Sequence, residues 1–466
     1  MSSGRWLRYL LLVVTTGATL LLLLGALHTV SATVLVLLAG GAAATFVVLE
    51  SRRPRTGLIP VSVAIAVVLV AAVVTPPRIS KDLWSYTMYG RIVTVHRANP
   101  YVDVPAKFPS DPFLKRVGPR WRKTASVYGP LFVGTAAAAS LLAGDSALLS
   151  RLFFQIMAAL ALLAILVVVW RTTASVTAVA FLGLNPVLAL VVVNGGHNDA
   201  IVGLGVLLAV VLTERKRPSA VGVVLGLAAL IKLTALLALI GIVVWAWRQG
   251  RKRFAFTAAL TTGVVVSAGY LIVLLDASRV LGNADRTVTS ASPWNPLLDR
   301  LLHHDAWRNV VHPLAPNGTL TAVFYASSVL ILLLAVGLSS RAARSGTPGP
   351  SIGVAVAAYP LAAEYTLPWY AIWGLPVFAT RRLTPVAWVV WTQSIVMLAA
   401  LKLPGAVTGN LLHTTMRVLL TQLAPPLLLV AFIAAVLWTY RPQSRSPTSS
   451  PCDSSPTKPR IAVTRR

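Results

Sequence analysis

Apolar runs of membrane-spanning length begin almost at the first residue. Leu7 to Leu27, Ala32 to Leu49 and Leu58 to Val74 each approach the roughly 20 apolar residues that a helix needs to cross a bilayer core. The first is too long, and too soon followed by another, for a cleaved signal peptide, so it is expected to be a retained helix. Further apolar runs continue to about residue 440. They predict an all-α, polytopic integral membrane protein of about 11 to 14 segments at roughly 20 residues per crossing. Residues 1–440 read as one transmembrane domain and 441–466, rich in Ser, Pro and Thr, as a disordered basic cytoplasmic tail.

Two stretches do not fit simple spans. Pro218 to Trp247 is apolar, with basic clusters at both ends, which predicts two short helices turning near Lys232. Pro130 to Ala143, Ala147 to Trp170 and Val176 to Val193 are three runs where an even number of crossings is needed, so one of them must be broken or re-entrant. Asn185-Pro186 interrupts the third, and the first is short.

Charge orients these spans. The chain carries 41 Lys and Arg against 13 Asp and Glu, a net +28, while 56% of its residues are hydrophobic and only 12% charged. With no soluble basic domain, lipid phosphates are expected partners and nucleic acid is not. Short Lys/Arg-rich loops stay cytoplasmic: Arg5/Arg8, Arg52/Arg53/Arg55, Arg215/Lys216/Arg217, Arg248/Arg251/Lys252/Arg253, Arg341/Arg344 and Arg381/Arg382. Placing them inside puts two loops outside, 76–127 and 276–318, together with the stretches around Asn194–Asp199, Glu364–Trp369 and Lys402–Asn410. The 76–127 loop is rich in aromatic residues, which argues for order, and is expected to form one or two amphipathic helices with Lys and Arg facing headgroups. Cys452 is the only cysteine, which excludes a disulfide framework and a Cys-ligated zinc site. No Walker A, GxGxxG or HExxH sequence is present, so any reaction should draw on a membrane-borne, already activated substrate.

Polar residues within the apolar body are few enough to weigh one by one. Asp82 stands just beyond the third span and is placed to act as a general base on a hydroxyl; the ordinary alternative is a helix cap or a pair with Lys81. Asn194-Gly195-Gly196-His197-Asn198-Asp199 is the densest polar cluster, read as ligand contact or as a capped turn between helices. Lys232 is a lone cation in an apolar run, holding a lipid-linked phosphate or snorkelling to the interface. Trp369 and Tyr370 follow Pro368 in an aromatic run that either stacks on a sugar or prenyl chain or forms an interfacial belt.

These residues, in this order, resemble the GT-C glycosyltransferases that use polyprenyl-phosphate sugars. The similarity is greatest to the actinobacterial polyprenol-phosphate-mannose-dependent α-mannosyltransferases of the lipomannan and phosphatidylinositol mannoside pathways. The resemblance is carried by Asp82 with Tyr86 and Arg91, Asn99-Pro100-Tyr101, Tyr128-Gly129-Pro130-Leu131, Asn185-Pro186, Gly196-His197-Asn198-Asp199 and Pro368-Trp369-Tyr370. It implies a GT-C-like fold and an inverting mannosyl transfer from a polyprenyl-phosphate donor to a lipid-linked glycan acceptor, outside the plasma membrane. Asp82 would be the catalytic base, with Tyr86, Arg91, Tyr128, His197, Asn198, Asp199, Lys232, Trp369 and Tyr370 binding substrate. Lys232 and Arg91 would steady the leaving phosphate. Many such enzymes carry Asp-x-Asp or Glu-x-Asp in the first loop, whereas Leu83 and Trp84 follow Asp82 here. No metal site or other cofactor is therefore assigned, and a divalent-metal requirement stays open. A lipid or sugar transporter or flippase, or a related enzyme using arabinose, is the rival expectation.

Overall fold

The computed structural model of the chain describes residues 3–25, 30–273, 279, 287–303, 318–403 and 411–442. Apolar backbone in a bilayer can bond only to itself, and the described residues contain helices and turns without a strand. The first half runs α1 (Ser3–Leu24), α2 (Val30–Arg52), α3 (Leu58–Val74), α4 (Asp82–Thr94), α5 (Pro130–Ala143), α6 (Ala147–Thr173), α7 (Val176–Gly183) and α8 (Asp199–Glu214). It continues with α9 (Pro218–Ala229), α10 (Leu236–Arg248), α11 (Lys252–Ile272), α12 (Asn295–His303), α13 (Gly318–Ala342) and α14 (Pro348–Ala362). A 3-10 stretch, Pro368–Trp373, leads to α15 (Leu375–Ala379), α16 (Pro385–Lys402), α17 (Leu411–Arg417) and α18 (Ala424–Thr439).

Among the described residues, seven helical spans are long and apolar enough to cross a membrane, one of them the continuous run Leu411–Thr439 that joins α17 to α18 through a π-helical turn, and four shorter apolar helices accompany them. The chain is an all-α, polytopic membrane protein. The expected tail and parts of the 276–318 and Lys402–Asn410 stretches lie outside the described residues.

Both irregular stretches resolve into broken helices. Pro218 to Trp247 divides into α9 and α10, and Lys232 sits in extended backbone between them at φ −151° and ψ 118°. Of the three runs after residue 130, the third is the broken one: α7 ends at Gly183, and the chain resumes as a π-helical turn, Leu188–Val193. Pro186 removes an amide donor at the break. The Asn185 side chain fills the gap by accepting from the Val187 amide at 3.0 Å and donating to Ser394 at 3.1 Å. Every residue of that π-turn is buried, the condition under which irregular backbone is tolerated at such depth.

The 76–127 loop departs from expectation. Its helix, α4, is no surface amphipath: Leu83 to Ile92 are all buried. Three single 3-10 turns, Pro105–Lys107, Leu114–Arg116 and Trp121–Lys123, make up its other regular backbone. Trp84, Tyr86 and Tyr89 give α4 apolar bulk on more than one face, so it is enclosed by α5, α6 and the loop's own Phe113 instead of floating on headgroups. Several basic side chains of the loop are engaged within the protein. Arg116 lies over Trp84 at 5.0 Å, Arg122 donates to the Val117 and Lys115 carbonyls, and Arg120 bonds Thr287.

Candidate active site

The 75–81 connection delivers Asp82 to the protein interior because two buried amides hold it. Asn194 Nδ2 faces the carbonyls of Ala72, Thr75 and Pro76 at 3.0–3.1 Å, and its Oδ1 accepts from the Arg78 amide at 3.0 Å. Gln155 Nε2 faces the Ala72, Thr75 and Asn194 carbonyls at 2.8–3.2 Å. The end of α3 is thereby tied to α6 and to the turn before α8. Asp82 is then the first residue of α4, where a carboxylate suits the helix dipole, and Ser80 accepts its amide proton at 3.1 Å.

Asp82 opens onto a cavity of about 270 Å³ shared by distant segments. Tyr128, Lys232, Trp369 and Tyr370 line it, as do Tyr359, Glu364 and Tyr365. Its walls meet along a backbone seam. The Gly129 amide donates to the Ile231 carbonyl at 3.0 Å, and the Leu131 amide donates to the Leu230 carbonyl at 3.1 Å. Residue 129 has to be glycine for this, because a Cβ there would lie 2.2 Å from the Leu230 oxygen.

Behind Asp82 lies a second layer of charge. His197 Nδ1 is 3.8 Å from the Asp82 carboxylate, 3.9 Å from that of Asp199 and 3.3 Å from the Tyr86 hydroxyl. The His197 ring stacks on Trp369 at 4.0 Å. Asp199 Oδ1 accepts from Lys232 Nζ at 2.8 Å and from the Trp373 indole at 2.9 Å. The Lys232 ammonium also sits over the Tyr370 and Trp373 rings, at 4.3 and 5.1 Å, so carboxylate and aromatic faces share its charge. It is no snorkelling lysine: the side chain is mostly buried and locked in a fixed place. Asp82 has 15% of its side chain exposed, and burial pushes its carboxyl up to about 6; the Lys232 charge opposes this and the Asp199 charge adds to it. Asp82, His197 and Asp199 approach one another, yet no group of three or more His, Cys, Asp or Glu side chains suited to a metal ion occurs among the described residues.

The expected residues therefore sort into different places. Asp82, Tyr128, Lys232, Trp369 and Tyr370 line the cavity, and His197 and Asp199 stand directly behind it. Tyr86 does not line it. Its ring is packed edge-on against Tyr128, Phe132 and Phe154, and it reaches the site through His197. Asn198 is fully buried, and neither polar atom of its side chain has a hydrogen-bond partner among the described residues. Arg91 lies away from the lining, near the other end of α4. Its guanidinium pairs with Asp111 and Asp145, each at 2.8 Å, and bonds the Gly144 carbonyl at 3.1 Å. The aromatic run is interior, not an interfacial belt: Trp369, Tyr370 and Trp373 are 5%, 6% and 1% exposed.

Sequence reading gave Glu364 no role in the site and took Trp373 only as part of the aromatic run. Both stood in view, since carboxylates are scarce and Glu364 directly precedes the aromatic run, but neither interrupts a hydrophobic span as Lys232 does.

Comparison with known proteins places these residues in a family. The family model described as "Alpha-(1->6)-mannopyranosyltransferase, N-terminal domain" matches residues 4–249, which include every cavity residue up to Lys232. The alpha-(1->6)-mannopyranosyltransferase A of Mycobacterium tuberculosis is 28% identical over 335 residues, 65% of this chain and 61% of that protein. Its Corynebacterium glutamicum counterpart is 29% identical over 183 residues, 38% of this chain and 36% of that protein. A probable alpha-(1->6)-mannopyranosyltransferase of Mycolicibacterium smegmatis is 27% identical over 368 residues, 67% and 64% of the two chains. In each case the chain spans less than two thirds of the relative's length. No solved structure matches significantly. With more than half of its length matched by the family model, the chain belongs to the alpha-(1->6)-mannopyranosyltransferase family.

Proposed function

We propose that the chain is a membrane mannosyltransferase. It moves a mannosyl residue from a polyprenyl-phosphate donor to a lipid-linked glycan acceptor on the outer face of the membrane, with inversion and with Asp82 as base. The observation that carries the reading is a carboxylate lifted to about 6, set in a partly closed aromatic cavity beside a buried lysine. A base with its pKa near the working pH is ionised yet still basic enough to take a hydroxyl proton. In the transfer, Asp82 accepts the proton of the acceptor hydroxyl as that oxygen bonds to C1. The bond from C1 to the phosphate oxygen breaks, and its electron pair departs with the polyprenyl phosphate. Lys232 is the cation lining the cavity, and it balances the charge that grows on the phosphate. Asp199 and the two rings hold that cation in place before substrate arrives. Arg91, paired elsewhere, has no part in the step.

The assignment to the outer face rests on agreement between charge and geometry. The 76–127 loop, the turn at Lys232 and Glu364 to Trp369, which the distribution of Lys and Arg puts outside, meet at the Asp82 cavity. Arg52, Arg381 and Arg382, put inside by the same rule, meet around a separate recess, and α3 leads from one to the other.

The test is direct. Purified full-length protein is incubated with polyprenyl phosphates carrying mannose, glucose or arabinose, with release of polyprenyl phosphate as the readout. Release from the mannosyl donor is expected, and equal release from all three would end the sugar assignment. An Asp82→Asn protein that releases at the wild-type rate would end the assignment of the base.

A further inference from the structure

Glu364 is the second carboxylate on the wall of the cavity that holds Asp82. It is 5% exposed, and its carboxylate accepts from Ser327 of α13 and from its own and the Tyr365 backbone amides. Its position is fixed by backbone. The Glu364 carbonyl accepts from the Thr289 amide at 2.9 Å, and the Thr366 hydroxyl two residues on donates to the Pro360 carbonyl at 2.8 Å. Ser328, Tyr359, Tyr365 and Trp369 line the cavity with it. An ionised carboxylate is an acceptor only, with about four lone-pair sites, and a carboxylate fixed on a cavity wall suits a ligand rich in hydroxyl donors. Aromatic faces beside such acceptors suit the C–H face of a sugar ring.

We propose that Glu364 recognises the hydroxyls of the transferred pyranose, which makes the Glu364 side of the cavity a sugar subsite. The proposal rests on the glycosyl-transfer reading above. The choice of the donor ring over an acceptor ring follows from size and enclosure. A volume of about 270 Å³ lies at the lower edge of ligand pockets and suits one ring with its phosphate. The ring that must be enclosed is the activated one, because its anomeric carbon is open to water. Lys232 holds the phosphate end, Asp82 faces the incoming hydroxyl, and Glu364 accepts from the hydroxyls farther from C1. It acts in recognition and takes no part in proton transfer.

Donors lacking one hydroxyl at a time test this. Full-length protein is assayed with the complete donor and with its monodeoxy analogues, and kcat/KM is compared for wild type, Glu364→Gln and Ser327→Ala. Wild type is expected to reject at least one deoxy donor by about 10- to 100-fold, the worth of a hydrogen bond to a charged group. In Glu364→Gln that ratio should fall toward one while ratios at the other positions persist, and Ser327→Ala should leave the pattern intact. A wild type that accepts every deoxy donor as well as the complete one overturns the proposal without any variant. So does an active Glu364→Gln protein that keeps the whole wild-type pattern. Failure of the transfer reading looks different: the wild type would release nothing from any polyprenyl phosphate.

Discussion

Asp82 and Asp111 belong to the same loop and have opposite surroundings. Asp111 has no exposed side-chain surface, yet it is saturated with donors. Arg91 and His96 each reach its Oδ2 at 2.8 Å, and the Phe113 amide reaches Oδ1 at 2.9 Å. Burial works against ionisation there, but these hydrogen bonds outweigh it and hold the carboxyl below its ordinary value. Asp82 is slightly more open, with Lys232 turned toward Asp199, His197 3.8 Å away and the Ser80 hydroxyl beside its carboxylate. Burial outweighs the Lys232 charge and the Ser80 contact, and its carboxyl rises to about 6. Of these two carboxylates in one loop, Asp111 is committed to hydrogen bonds within the protein, and the less well-partnered Asp82 is the one proposed for chemistry.

The largest expected effect comes from removing the proposed base. Asp82→Asn should lower transfer by roughly the 10²- to 10⁴-fold of a lost general base. Its melting temperature should be unchanged or higher. A carboxyl with a raised folded pKa favours its protonated form, so ionisation costs the fold stability as pH climbs from about 4 to 6, and an amide is spared that cost. A strongly lowered melting temperature would erase the distinction between the two residues.

Asp111→Asn should do the reverse. It leaves Arg91 buried with the exposed Asp145 as its charged partner and the Gly144 carbonyl as a neutral one, at a cost of about 3–5 kcal/mol for a broken buried pair. Thermal unfolding in detergent should show that loss, while donor discrimination among molecules that remain folded should persist.

A pH profile sharpens the contrast without mutation. kcat/KM for transfer should be level above about pH 6 and fall tenfold per unit below it, as Asp82 takes up its proton. Asp111, with its lowered pKa, contributes stability above the unfolded carboxylate range and loses it only at lower pH, so between about pH 4.5 and 6 activity should fade while the fold stays intact. Activity and unfolding that decline together would contradict the separation.

The smallest effect is expected at Lys232. Lys232→Met should weaken use of the donor by about 10- to 100-fold, the worth of one charge-assisted contact, and should also lower the melting temperature, because the buried Asp199 is left with the Trp373 indole in place of its cation. Unchanged kcat and KM would remove the lysine from the site.

Much of this was legible in the chain because hydrophobic surroundings make polar residues conspicuous. His197, Asp199 and Lys232 each interrupt apolar sequence, Asp82 stands just beyond an apolar span, and Asn185-Pro186 marked one of two candidate breaks. Partnership was not legible. Arg91 follows Asp82 closely in sequence, yet Asp111 and Asp145 claim it, and no spacing rule finds those partners. Asn194 looked like part of the ligand cluster but ties down the end of α3. The burial of α4 was invisible for another reason: the neighbours that enclose it, α5 and α6, are apolar runs indistinguishable in composition from lipid-facing helices.

The seam between 129–131 and 230–231 has a consequence for retuning the enzyme. Its two hydrogen bonds run from backbone to backbone, so they do not depend on the side chains at 128 and 232–234. Tyr128, Lys232, Leu233 and Thr234 hang from that frame into the cavity, and apart from Gly129 the frame is indifferent to their identity. A library that varies these four positions together would therefore explore new donor preferences on a scaffold whose spacing stays put, and Gly129 is the one position such a library should leave alone.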